Sequence, residues 1–144
     1  MDSALSMIGL ALRAGRLEAG EDPAGEACRG TRCRLLLTAS DASENTLHRM
    51  ERYAREGGCL TLALPYTKAE LGAALGRGSC AAAAVTDLGL AQAIVEKLGE
   101  RYGETAEKLR LKARRAAQRR EKKPGAAVGK RTAARPVQYN RKKK

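Results

Sequence analysis

Apolar residues recur at helical spacing in the opening SALSMIGLALRAGR, where Leu5, Ile8 and Leu12 share a face with Met7 beside them. Gly15 supplies the stop. RLLLT, around Leu35 to Thr38, is a short apolar run suited to a buried strand. In SDASENTLHRMERYAREGG, Asp41 with Glu44 three residues on has the form of a capping box. Leu47, Met50 and Ala54 then make an inward face, and Gly57-Gly58 end the helix. LTLAL, from Leu60 to Leu64, reads as a second strand. Thr67 opens a brief helix, KAELGAALG, closed by Gly76. CAAAAV, from Cys80 to Val85, has poor β propensity but is apolar and bounded by GRGS and TDLG, so context makes it a strand. A helix after Asp87 carries Ala91, Ile94, Val95 and Leu98, and is expected to run on to about Glu121. EAGEDPAGEACRG, between the first helix and RLLLT, is expected to hold a short helix of its own.

Helices alternating with short apolar runs predict an α/β protein, a three-layer α/β/α sandwich around a small mixed sheet with a basic C-terminal extension. Three segments are expected. Residues 1–100 form the globular domain, 101–123 a basic helical extension, and 124–144 a basic tail whose Pro/Gly/Lys/Arg mixture buries too little to fold alone. Phe and Trp are absent and there are four Tyr, so the core must be built from Leu, Ala, Ile and Val. No apolar run reaches the ~18 residues of a membrane span, and no charged start leads into a signal-like segment. A cytoplasmic protein without a membrane partner is expected.

The net charge of +12 is unevenly placed. Residues through Glu100 hold 11 Lys/Arg against 13 Asp/Glu, a balance of −2. From Arg101 onward there are 17 Lys/Arg against 3 Asp/Glu, a balance of +14. Arg110, Lys112, Arg114, Arg115, Arg119, Arg120, Lys122 and Lys123 begin this basic run, which suits contact with a polyanion.

Catalytic apparatus is missing. The chain has no GxxxxGK[ST], no GxGxxG after a strand, no HExxH and no GxSxG. Asp41, Glu44 and Asp87 sit where helix caps and first-turn acids belong, and His48 lies on a charged helix face. The expectation is a protein that is not an enzyme. Cys28, Cys33, Cys59 and Cys80 show no CxxC pair and are expected as small buried thiols, with no metal and no cofactor. The strands also lack the interleaved aromatics of a base-stacking RNP-type sheet. RNA would have to be read through loops and helix ends.

LALRAGRLEAGE, RLLLTASDASENT, YTKAELGAALG and AVTDLGLAQAI occur in this order across about residues 4–98. The series resembles the ribosomal protein L-seven-Ae / L-thirty-e superfamily, in particular its small bacterial YlxQ-like branch. The resemblance implies an α/β/α sandwich and, for many members, binding of RNA kink-turns. Those members present a Gly, then Asn and Glu, then a Lys one turn on, from the helix at EAGEDPAGEACRG. Gly20 keeps the Gly position, with Glu21 after it. Asp22 stands for the Asn, Pro23 for the Glu, and Glu26 for the Lys. By the same resemblance Ser43 and Leu47 lie beside an extruded base, Lys68 matches a basic residue of that surface, and Arg77, Gly78 and Ser79 replace an apolar contact loop.

The departures carry physical consequences. Ionised Asp22 only accepts hydrogen bonds, whereas Asn both donates and accepts. Glu26 places negative charge where a cation meets the polyanion. Pro23 is expected at the first helical position with Asp22 as N-cap, its carboxylate covering the N–H groups a phosphate would otherwise meet. Two functions stay open. One is a non-enzymatic RNA-binding protein of ribosome or translation, meeting structured, even ribosomal, RNA and a ribosomal or translation-factor partner. The alternative is a protein-interaction module whose acidic domain docks a basic partner while the tail binds RNA non-specifically.

Overall fold

The computed structural model describes residues 2–121, so Lys122, Lys123 and the segment 124–144 lie outside the described residues. The elements run α1 (Ser3–Arg13), β1 (Leu17–Ala19), α2 (Glu21–Arg29), β2 (Leu35–Thr38), α3 (Glu44–Gly57), β3 (Leu60–Ala63), α4 (Lys68–Ala74), β4 (Ala82–Val85), α5 (Leu88–Leu98), a 3-10 turn (Glu100–Tyr102) and α6 (Gly103–Glu121). The strands form one sheet of order β1-β4-β2-β3. β2 and β3 are parallel, and β4 runs antiparallel to both β1 and β2.

Strand periodicity divides the core in two. Leu35, Leu37, Leu62, Ala83 and Val85 join Ile8, Ala91, Ile94 and Val95 of α1 and α5 on one face. Leu36, Ala82 and Ala84 point the other way, against Ala24, Ala27 and Cys28 of α2 and Met50, Tyr53 and Ala54 of α3. This is the expected three-layer sandwich around a mixed sheet. The alanine-rich strand is central and buried on both faces. Its small side chains fit beneath close-packed helices, which is why packing overrides its low β propensity.

Four expectations need correction. Helix α3 is capped by Ser43, whose Oγ accepts from Thr46 N, and Asp41 instead accepts the Lys68 N–H at 2.8 Å. Helix α2 begins at Glu21 with Gly20 as its N-cap, and no side chain caps it. Gly20 has φ 104°, accessible to glycine, and its N–H bonds Ala82 O at 2.9 Å, so the chain turns from ladder to helix within one residue. Pro23 therefore falls in the first turn, where its missing N–H has no intrahelical partner to lose. The last helix is not continuous to Glu121. Gly99, at φ 101°, ends α5, and the 3-10 turn redirects the chain into α6. Finally, β1 is a strand of three residues in a stretch whose sequence predicts only the approach to a helix.

The first compact unit runs to Leu109, and the second begins at Arg110. Leu109 is fully buried, with Tyr102 and Ala106 packed against the same cluster. The globular core thus reaches nine residues past Glu100 through an i, i+4, i+7 face. Among the described residues of the second unit, Arg110, Arg114, Arg115 and Arg119 are exposed on a helix and Lys112 is half-buried. Arg120 lies within the same helix. No helix among the described residues is long and apolar enough to cross a membrane.

Candidate RNA interface

The sheet topology gathers loops at one end of the sandwich. Because β1, β2 and β3 run the same way and β4 against them, three carboxyl ends and one amino end share an edge. A cleft of about 380 Å³ opens there, lined by Gly20, Glu21, Ser43, Thr46, Lys68, Arg77, Ser79, Cys80 and Ala81.

Each wall is held by local structure. Ser43 donates through Oγ to Thr46 Oγ1 at 3.1 Å, and Thr46 Oγ1 donates to Glu21 Oε2 at 3.0 Å. Arg49 pairs with the other carboxylate oxygen, Glu21 Oε1. The acid facing the cleft is thereby neutralised and tied to α3. Lys68 opens α4 behind a capping box, in which Thr67 Oγ1 accepts Glu70 N–H at 3.1 Å and Glu70 Oε1 accepts Thr67 N–H at 2.9 Å. Lys68 O accepts from Cys80 N at 3.0 Å, which joins α4 to the loop before β4. The Arg77 guanidinium lies against Gly20, with Nη1 3.6 Å from where a Cβ would stand there.

Six of the ten residues expected at this surface line the cleft: Gly20, Glu21, Ser43, Lys68, Arg77 and Ser79. Asp22 and Glu26 are exposed on α2 and do not line it. Leu47, half-buried one turn into α3, and Gly78, exposed in the loop, are also outside its lining. Thr46, Cys80 and Ala81 join the lining beyond the residues the sequence points to, and Arg49, outside the lining, pairs with Glu21. The signal for Thr46 and Arg49 is their i, i+3, i+6 spacing from the capping residue Ser43, which sets them on one side of α3.

The arrangement suits a polyanion better than the overall charge of the domain suggests. With Glu21 paired to Arg49, the remaining ionic groups of the lining are Lys68 and Arg77. The Ser79 hydroxyl adds a group that both donates and accepts, and Ser43 Oγ, which already donates to Thr46 Oγ1, keeps a lone pair with which to accept. The acids that lower the charge of the domain to −2 include Asp22 and Glu26, which stand outside the lining.

The chain is 33% identical over 96 residues to a Bacillus subtilis (strain 168) protein described as RNA-binding protein YlxQ, covering 64% of this chain and 91% of that one. It belongs to the YlxQ-like branch of the L-seven-Ae / L-thirty-e superfamily. Solved structures agree on the fold. A Bacillus halodurans protein of unknown function superposes with a TM-score of 0.63 at 24% identity, over 69% of this chain and all of that one. The Giardia lamblia 15.5kD RNA binding protein gives a TM-score of 0.54 at 15% identity, over 73% of this chain and 85% of its own. No family model matches the chain. In this chain Gly20 stands at the entrance of α2, while the next residue, Glu21, is committed to Thr46 and Arg49 of α3.

Proposed function

We propose that this protein binds RNA, as its YlxQ relative is described as doing, that this RNA is structured, and that the cleft at the carboxyl ends of β1, β2 and β3 is where it reads that RNA. The observation that carries this reading is the convergence of Gly20, Ser43, Lys68, Arg77 and Ser79 from four separate segments on one cleft. Lys68 and Arg77 meet the phosphate backbone, and Arg77, with a planar fork of donors, fixes its orientation. Ser43 and Ser79 contact sugar or base edges. The site residues work by binding and positioning, and the protein is not an enzyme.

The basic extension supplies affinity without sequence preference. Arg115/Arg119 is an i, i+4 pair of like charge in α6, whose repulsion a bound polyanion relieves. Residues 101–123 and 124–144 thus act as a basic extension and tail to the recognition domain, in a ribosome- or translation-associated role in the cytoplasm. Kink-turn RNA is the first ligand to try, because the superfamily resemblance assigns RNA contact to Gly20, Ser43 and Lys68, which line this cleft.

Filter binding of the full chain to a kink-turn RNA and to a duplex of equal length tests the proposal. Lys68→Ala with Arg77→Ala should weaken binding and lower the log–log salt slope by about 1 to 2 units. Unchanged affinity in the double variant removes the cleft from the interface. The second reading, an acidic docking face, is favoured by Asp22 and Glu26 standing exposed one turn apart on α2. Asp22→Asn with Glu26→Lys separates the two. A gain in RNA affinity places α2 at the RNA, and no gain leaves it for a basic protein partner.

A further inference from the structure

Three of the four cysteines, scattered in sequence, meet on the α2/α3 side of the sheet. Cys28 lies in the last turn of α2, Cys33 in the loop leading to β2, and Cys59 between α3 and β3. Their Sγ atoms all lie within 4.8 Å of one another, and Cys28 and Cys59 approach to 3.6 Å. Cys28 and Cys33 are buried among Ala24, Ala27, Leu36 and Met50. Cys59 is half-buried and lines a separate open cleft with Glu51, Arg55 and Thr61, so the cluster reaches solvent there.

We propose that Cys28, Cys33 and Cys59 hold one thiophilic divalent cation of the zinc class, through three thiolates and one water on the Cys59 side. Ligands about 2.3 Å from such an ion stand about 3.8 Å apart in a tetrahedral arrangement and about 4.0 Å apart in a trigonal one. The Cys28–Cys59 separation is 3.6 Å and no pair exceeds 4.8 Å, so closure on the ion needs side-chain shifts of less than about 1 Å. The donor set is all sulfur, which selects zinc and its heavier congeners over magnesium or calcium. Among the described residues the group contains no histidine or carboxylate, which leaves the fourth position to water.

The protonation chemistry balances without an oxidant. Three thiols and one divalent ion give a metal tris-thiolate of charge −1, and three protons leave to solvent. In the absence of the ion, burial and then the neighbouring Cys59 push the Cys28 thiol up to about 11. The hydrogen bond to Cys59 and then burial hold Cys33 far above the ordinary thiol range. Cys80 stands apart, buried on the other face with its Sγ donating to Ala82 O at 3.2 Å, and serves as an internal control.

The test uses the full chain, reduced and under nitrogen, titrated with Cd²⁺ while thiolate-to-metal charge transfer is followed in the ultraviolet. The expected result is a sharp end point at one ion per chain, with three of the four thiols protected from alkylation. Cys59→Ser and Cys33→Ser should each remove about a third of the absorbance and weaken binding by about a hundredfold. Cys80→Ser should leave the end point in place. No saturable band in the unmodified protein overturns the assignment, as does an equal loss in Cys80→Ser. So does an end point that leaves Cys28 open to alkylation. The unmodified protein is decisive even where a variant fails to fold, and far-ultraviolet dichroism on each variant identifies that case.

Discussion

Glu21 lies in the lining of a cleft proposed for RNA, yet its carboxylate already accepts from Thr46 and pairs with Arg49. A charge counted from sequence carries no information about such pairing, and one long-range contact changes what the residue presents. Asp2 is a second case. Its carboxylate caps α1 through Ala4 N–H at 2.8 Å and accepts the Tyr66 hydroxyl at 2.7 Å. The Tyr66 bond first, and the Ala4 bond second, hold Asp2 below its ordinary value of 3.8. A lowered acid stabilises the fold above its unfolded value, and that contribution is lost as pH falls through the folded one. The same contact, after burial, holds the Tyr66 phenol above its ordinary value of 10.0. Stability from that group is complete below about 10 and is lost as pH rises through the folded value. Asp2→Asn should therefore lower the melting temperature at neutral pH and flatten its fall through the carboxylate range, as melts at a series of pH values would show. Gly72 makes a steric prediction. A Cβ there would stand 2.6 Å from Ser79 Cα and 2.9 Å from Arg77 O. Gly72→Ala should cost about 1 to 3 kcal/mol in urea unfolding by displacing the loop that carries Arg77.

At the scale of elements, the helix entrances decide where cleft residues stand. The box around Thr67 and Glu70 fixes the first turn of α4, and Lys68 is the first residue of that turn. Thr67→Ala should lower stability by about 1 kcal/mol in chemical denaturation. This entrance is legible because its whole signal lies within four residues. The entrance of α3 is less so. Asp41 and Ser43 are both good caps by residue type, and Ser43 takes the role because Asp41 is engaged by the Lys68 N–H, 27 residues away. β1 leaves almost no local trace, since three residues paired to β4 need only the ladder and one buried Leu17. The break at Gly99 is hidden by apolar spacing that continues on both sides of it, through Leu98 and then Tyr102, Ala106 and Leu109.

At the scale of the whole molecule, charge is divided along the chain. Residues 122–144 carry nine Lys/Arg and no acid. Ending the chain at Glu121 should lower the salt slope of RNA binding by several units, at about 0.9 for each duplex phosphate the tail neutralises, while leaving any preference for kink-turn over duplex RNA in place. Lys68→Ala with Arg77→Ala should lower the slope by only about 1 to 2 units while weakening kink-turn binding more than duplex binding. Filter binding from low to physiological salt distinguishes the two contributions. A tail that carried the preference would reverse the assignment of roles.

The sequence by itself determined the layer architecture, the positions of β2, β3 and β4, the caps at Thr67 and Asp87, and the basic extension. Each is written in periodicity, composition or a cap spaced over a few residues, so local physics suffices to read it. Tertiary structure alone decided which residues share a surface. It brought Gly20, Ser43, Lys68 and Arg77 to one cleft and turned Asp22 and Glu26 outside its lining. It also paired Glu21 with Arg49 and gathered Cys28, Cys33 and Cys59 within 4.8 Å. The reason is distance along the chain. Strand order and direction set which loop ends are neighbours, and those follow from packing both faces of the sheet at once.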